Sequence, residues 1–248
     1  MDLTQAKRLL SHIPEGARVL DVGGGASPFP RADHVIDALA FDEAGAGSDG
    51  DAHRSLGVPL RYARERWTQT DLCDRRPWPF PDKSFDFAVC SHLLEDVRDP
   101  IWVCSEMSRV AKGGYIETPS RTEEQSRGVE NPCYAGYCHH RWLVSKTGNA
   151  LEFRHKPHML HTLNDAIVAE LSPGRRINPR HAIVSLDWQG HIAAREILEF
   201  TEKTIVEELC TFAREARRLE ELTVSPPMPL SRRLRRHMFY RRLARAGR

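Results

Sequence analysis

Apolar residues at Leu3, Ala6, Leu9, Leu10 and Ile13 recur at helical spacing and predict a first helix over Leu3 to His12, which Pro14-Glu15-Gly16 breaks. Arg18 to Val22 is then a short apolar run ending in Gly23-Gly24-Gly25, the pattern of a buried parallel strand entering a tight loop. His34 to Asp37 predicts a second strand, Trp67 to Asp71 a third, Phe85 to Cys90 a fourth and Gly113 to Thr118 a fifth. A helix from about Pro100 to Val110 joins the last two. Strands separated by helices or long crossovers imply an α/β fold with a mostly parallel sheet and right-handed connections. After residue 120 the rhythm changes. Leu151 to Arg154 and Ala182 to Trp188 alternate like strands, and Ile192 to Glu196 extends a hairpin through Gln189-Gly190. Glu196 to Leu222 reads as a charged amphipathic helix.

Composition narrows the function classes. A chain of 248 residues suits one large α/β domain, and a net charge of +2 announces no nucleic-acid partner. No stretch reaches the roughly 20 apolar residues that a membrane span needs. The N-terminus lacks the apolar core of a signal peptide, and the six cysteines, with no CxxC pair, suit reduced thiols, so a cytoplasmic location is expected. The surplus of positive charge is local: Ser231 to Arg248 holds eight arginines and no acid. This tail, 225–248, begins with Ser225-Pro226-Pro227-Met228-Pro229 and reads first as a surface helix packed on its own domain or on the partner of a homodimer, or as a disordered end. Contact with an anionic membrane surface or nucleic acid is the alternative.

The glycine loop is the first candidate for chemistry. Its backbone can approach a ligand above the sheet only because a Cβ is missing, and ligands of open α/β sheets bind at this carboxyl edge. A dinucleotide fingerprint would put its third glycine at Pro28, and no Lys-Ser or Lys-Thr pair follows the glycines as in a phosphate loop. Asp37 ends the second strand, where a carboxylate can accept both hydroxyls of a ribose. Asp71 ends the third, where it can accept from an adenine amino group, with the Leu72 N–H beside it.

The run Pro79-Phe80-Pro81-Asp82-Lys83-Ser84-Phe85-Asp86 through His92-Leu93-Leu94-Glu95-Asp96-Val97, followed by Glu106-Met107-Ser108-Arg109-Val110-Ala111-Lys112-Gly113-Gly114, resembles the fourth-strand and following blocks of class I S-adenosylmethionine-dependent methyltransferases. The resemblance covers about residues 15 to 120. It implies a Rossmann-like, seven-stranded, mostly parallel sheet flanked by helices, and S-adenosyl-L-methionine as cofactor. Asp21 and Gly23, Gly24 and Gly25 would lie near its methionine part, Asp37 at the ribose, Asp71 and Leu72 at the adenine, and Ser91 and His92 at the methionyl end. Two departures stand out: Asp96 replaces a usual histidine, and the short stretch between Gly25 and the second strand, with Pro28 and Pro30, leaves little room for the usual first crossover helix.

In that frame residues 1–224 form the methyltransferase domain, with an acceptor-side insertion at about 120–160. Glu123, Glu124, His139 and His140 lie there as acceptor contacts or bases, and Glu123, His139 and His140 are the catalytic candidates. Cys133 and Cys138 with the two histidines match no standard zinc spacing, so no metal is expected. The stretches Ser120 to Trp142 and Phe153 to Pro157 resemble methyltransferases found beside glycan and natural-product genes. A small-molecule acceptor, a sugar or aminoglycoside methylated on oxygen or nitrogen, is therefore expected, with no stable nucleic acid. Rival readings are an RNA methyltransferase that uses the arginine tail and a non-catalytic cofactor-binding protein.

Overall fold

The computed structural model describes residues 1–44 and 61–225, so the Arg-rich tail lies, but for Ser225, outside the described residues. The chain divides into two compact units. One comprises Met1–Thr118, Lys146–Glu152 and Ser185–Arg195; the other comprises Pro119–Ser145, Phe153–Val184 and the chain from Glu196.

In the first unit, α1 (Leu3–His12) starts where the Asp2 side chain accepts the Gln5 N–H at 2.8 Å. The strands β1 (Val19–Val22), β2 (His34–Asp37), β3 (Trp67–Gln69) and β4 (Phe87–Ser91) follow. Helix α2 (Pro100–Val110) opens with proline in its first turn behind the capping carboxylate of Asp99 and leads to β5 (Gly113–Pro119). No helix stands between β1 and β2, as the two prolines of that connection predict. In its place Phe29 packs with Leu9, Ile13, Val19, Val89 and Tyr115. The buried Arg31 guanidinium ties the connection down by donating to the carbonyls of Pro14, Glu15 and Ala17.

The strand order is β3-β2-β1-β4-β5-β9, where β9 is Ile183–Gln189. The first five strands run parallel. Strand β9 runs antiparallel to β5, since Gly190 N–H donates to Lys112 and Ser120 N–H to Ala182. The sheet thus holds six strands among the described residues, where seven were expected.

The second unit opens with the short α3 (Arg121–Glu124), capped by Ser120. Next along the chain come strands β6 (Trp142–Thr147) and β7 (Ala150–His155), of which Lys146–Glu152 belongs to the first unit, then β8 (Arg176–Ile177) and α4 (Pro179–Ala182). Beyond β9 come β10 (Ala193–Glu196), α5 (Glu202–Ala216) and β11 (Thr223–Val224). The predicted hairpin of β9 with β10 does not form, because β10 joins a separate sheet of order β10-β7-β6. The predicted 196–222 helix is likewise shorter. Ile197 still bonds to Phe153 in ladder fashion, so the helix waits for the Thr201 cap. Leu209 joins the cluster of Ala135, Leu143, Leu160, Ala166 and Ile167. No helix among the described residues is long and apolar enough to cross a membrane.

Candidate functional site

The parallel register brings the strand ends to one edge. Val22 of β1 pairs with Ile36 of β2 and Cys90 of β4, Asp37 pairs with Gln69 of β3, and Ser91 pairs with Glu117 of β5. At this edge the chain leaves β1 through Gly23 and Gly25, whose φ values of 72° and 53° lie in the left-handed region that glycine occupies without strain. A Cβ on Gly23 would meet the Leu93 side chain at 2.6 Å, and one on Gly24 would meet Asp21 Oδ2 and Pro28 Cβ at 2.9 Å. A Cβ on Gly25 would meet no protein atom within 4 Å. Gly23, Gly24 and Gly25 line a cleft of about 410 Å³, together with Asp21, Ser91 and His92 among others. That volume falls in the range of small-molecule sites.

Asp21 sits under the loop, and one of its oxygens accepts the Phe29 N–H at 2.6 Å. Burial pushes its carboxyl up to about 7, a rise that the Phe29 N–H opposes and the nearby Asp37 charge reinforces. At the ends of β4 and β5, Ser91 Oγ donates to Glu117 Oε1 at 2.7 Å and accepts from the α-ammonium of Met1 at 3.0 Å. Burial would raise the Glu117 carboxyl, but that ammonium and the hydroxyls of Ser91 and Tyr115 together hold it below its ordinary value. Sequence reasoning missed Glu117. Its signal was the acid in Tyr115-Ile116-Glu117-Thr118, an odd residue for a fully buried strand.

His92 follows β4 with a φ of 55°, a conformation that costs a β-carbon residue strain and recurs at functional sites. Its ring nitrogens lie 3.6 Å from Glu95 and 3.6 Å from Glu117. Glu95 is fully buried, and neither of its oxygens has a hydrogen-bond partner.

The other predicted residues occupy the same edge but do not line this cleft. Asp37 Oδ2 accepts the Gly25 N–H and Oδ1 the Leu39 N–H, both at 2.8 Å. Asp37 therefore braces the glycine loop, and each oxygen keeps a second lone pair. Asp71 lies two residues beyond β3 rather than at its end; it accepts from Cys73 N–H at 2.8 Å and pairs with Arg98 at 3.2 Å. Leu72 beside it is buried.

The acceptor-side candidates fall in the second unit. Glu124 is fully buried between two cationic or proton-bearing partners: His140 Nδ1 lies 2.7 Å from Oε1, and Lys156 Nζ donates to Oε2 at 2.5 Å. Lys156 also donates to the Tyr137 carbonyl at 2.7 Å. The Tyr137 hydroxyl donates to Glu123 Oε1 at 3.2 Å, and burial together with that carboxylate pushes the phenol up. The Tyr137 ring lies over His140 with centroids 4.5 Å apart and planes 30° apart, while His139 meets His140 edge-on. Gly136, at a φ of 58°, allows this, since a Cβ there would stand 2.7 Å from Glu124 Cα. His139 is exposed, and its ligand nitrogen, Cys138 Sγ and a Glu130 oxygen lie within 4.8 Å of one another at the surface. Cys133 is not part of that group.

Residues 3–154 match the sequence profile of a family described as a methyltransferase domain. Over 103 residues the chain is 37% identical to a demethylmenaquinone methyltransferase of Renibacterium salmoninarum, covering 40% of this chain and 38% of that one. Over 116 residues it is 30% identical to a phosphatidylethanolamine N-methyltransferase of Cereibacter sphaeroides, covering 44% of this chain and 54% of the relative. The matched stretch thus spans about half the length of these relatives or less. It is also similar to the solved S-adenosylmethionine-dependent methyltransferase of Mesorhizobium loti, at 21% identity over 60% of this chain and 63% of that one, with a TM-score of 0.34. The profile match runs through every strand that forms the glycine-loop edge and covers more than half the sequence, so the chain belongs to the class I S-adenosylmethionine-dependent methyltransferase family.

Proposed function

We propose that this protein transfers the methyl group of S-adenosyl-L-methionine to an oxygen or nitrogen of a small polar molecule, a sugar or glycosylated natural product. The observation that carries the cofactor half is the glycine loop. It forms one wall of a cleft of suitable volume and keeps open a place that a side chain on Gly25 would fill. Asp21, Gly23, Gly24, Gly25, Ser91 and His92 would hold the methionine end. Asp37 would hold the ribose through its remaining lone pairs, and Asp71 with Leu72 the adenine. Bound there, the cofactor would supply a methyl carbon made electrophilic by its sulfonium. The chain's own residues must align the acceptor, exclude water and take a proton from a hydroxyl or an ammonium.

Glu123, His139 and His140 are the groups we assign to that last task. The cluster they form with Tyr137, Glu124 and Lys156 is charged and hydrogen-bonding, which favours a polar acceptor over an apolar one. The test is transfer of a labelled methyl group to a panel of amino and neutral sugars, run beside calorimetric binding of the cofactor. Binding without transfer to any of them removes the sugar assignment; no binding removes the activity altogether.

A further inference from the structure

The glycine-loop cleft stands over more acidic groups than its own hydrogen bonds answer. Asp21, Glu95 and Glu117 are all buried, and all three belong to the first unit. Burial pushes the Cys90 thiol up, and the Cys104 thiol with the charges of Glu95, Asp21 and Glu117 push it further, so the three acids gather about the end of β4. Two of them are answered locally. Asp21 accepts the Phe29 N–H, and Glu117 holds the hydroxyls of Ser91 and Tyr115 and the Met1 ammonium. Glu95 is different. It has no exposure, and neither carboxyl oxygen accepts a hydrogen bond. A carboxylate so placed is costly unless a cation answers it. The nitrogen within ion-pair reach is His92 Nδ1, 3.6 Å from Glu95 Oε1. His92 itself lines the cleft, and its other ring nitrogen lies 3.6 Å from Glu117. The Glu95 carboxyl is therefore turned to the cleft wall, one ring away from the space a ligand fills. Among the described residues that line the cleft there is no lysine or arginine.

We propose that Glu95 and Glu117 make this cleft selective for a cationic ligand. S-adenosylmethionine, which carries a sulfonium, is held more tightly than S-adenosylhomocysteine, whose sulfur is a neutral thioether. The proposal rests on the methyl-transfer reading above. A cation in a cleft of about 410 Å³ lies within ~10 Å of both acids, and at that range two unit charges in a protein still shift a binding constant by roughly tenfold. The spent cofactor has lost its charge together with the methyl group. It loses this hold as well, and leaves the cleft open to the next molecule.

The experiment needs no acceptor. The full chain is titrated calorimetrically with S-adenosylmethionine, S-adenosylhomocysteine and sinefungin, an analogue with an ammonium-bearing carbon in place of the sulfonium. Both cationic ligands should bind about tenfold or more tighter than the thioether. In Glu95→Gln and in Glu117→Gln that ratio should fall towards one, whereas a merely structural role would weaken all three ligands together. A thioether bound as tightly as the two cations overturns the proposal. So does sinefungin behaving like the thioether, since the methyl group rather than the charge is then what the cleft reads. A ratio that survives both substitutions overturns it too. Should one variant fail to fold, the other decides together with the native ranking; should both fail, the native ranking decides alone. The two layers separate cleanly. Absence of binding by all three ligands removes the methyl-transfer reading itself, whereas equal binding of all three leaves that reading standing and refutes only the selection by charge.

Discussion

Alanine at Gly25 and at Gly23 should part company, because the two positions differ in what lies beyond the missing Cβ. Both residues have positive φ, and forcing an alanine into that region costs about 1–2 kcal/mol. At Gly23 the added carbon would lie 2.6–2.9 Å from three Leu93 atoms, and relieving such overpacking adds ~1–3 kcal/mol. At Gly25 no protein atom lies within 4 Å, so the backbone term stands alone. Urea unfolding should therefore show Gly25→Ala losing about 1–2 kcal/mol and Gly23→Ala about 2–5 kcal/mol. Calorimetric titration with S-adenosylhomocysteine should put the functional cost on the milder variant. If the loop cradles the ligand, a methyl at Gly25 stands where ligand atoms approach, and a loss of at least about tenfold in affinity, ~1.4 kcal/mol, is expected. Native affinity in Gly25→Ala would refute the cradle. A larger stability loss at Gly25 than at Gly23 would refute the packing argument.

Asp37→Ala frees the Gly25 and Leu39 amides and removes the proposed ribose partner, so cofactor affinity should fall by about 1–3 kcal/mol; unchanged calorimetry contradicts the role. Asp21 provides a pH test with a definite sign. Its carboxyl rises on folding from 3.8 to about 7, so the stability it contributes is full below the unfolded value and is lost as the pH climbs through about 7. Asp21→Asn should be more stable than the native protein at pH 8, with the advantage vanishing below about pH 4; parallel melting curves across that range would contradict the buried, raised carboxyl. His140→Ala should cut methyl transfer by roughly 10²-fold or more while cofactor affinity stays near native. Equal turnover in this variant and the native enzyme would place the base elsewhere.

Much of the first unit was legible because its determinants are local. A buried parallel strand is an unbroken apolar run, and Asp99-Pro100 marks a helix start by capping chemistry alone. The cofactor edge follows, since parallel strands deliver their ends to one side in chain order. The rest depends on pairs distant in sequence. Glu117 with Ser91, and Glu124 with Lys156, are joined by packing that no short motif announces. The β9–β10 hairpin was misread for a related reason. Gln189-Gly190 permits a turn, but which strand pairs with β10 is set by the competing edge of β7. Residues 197–200 were read as helix from their amphipathic spacing, yet the Phe153 carbonyl takes the Ile197 N–H and the helix begins only after the Thr201 cap.

The connection between β1 and β2 does with one ring and one guanidinium what a helix would do with several turns. A helix gains rigidity cooperatively, each residue reinforcing the next. Phe29 and Arg31 are separate clamps, and each fails alone. Beside these clamps the Asp37 and Asp21 carboxylates hold the loop, through the Gly25 and Phe29 amides, and a ligand that bonds the loop adds a further tie. Amide exchange at residues 23–29 should slow sharply when the cleft is filled, while exchange in β4 and β5, whose hydrogen bonds belong to the sheet, should barely change.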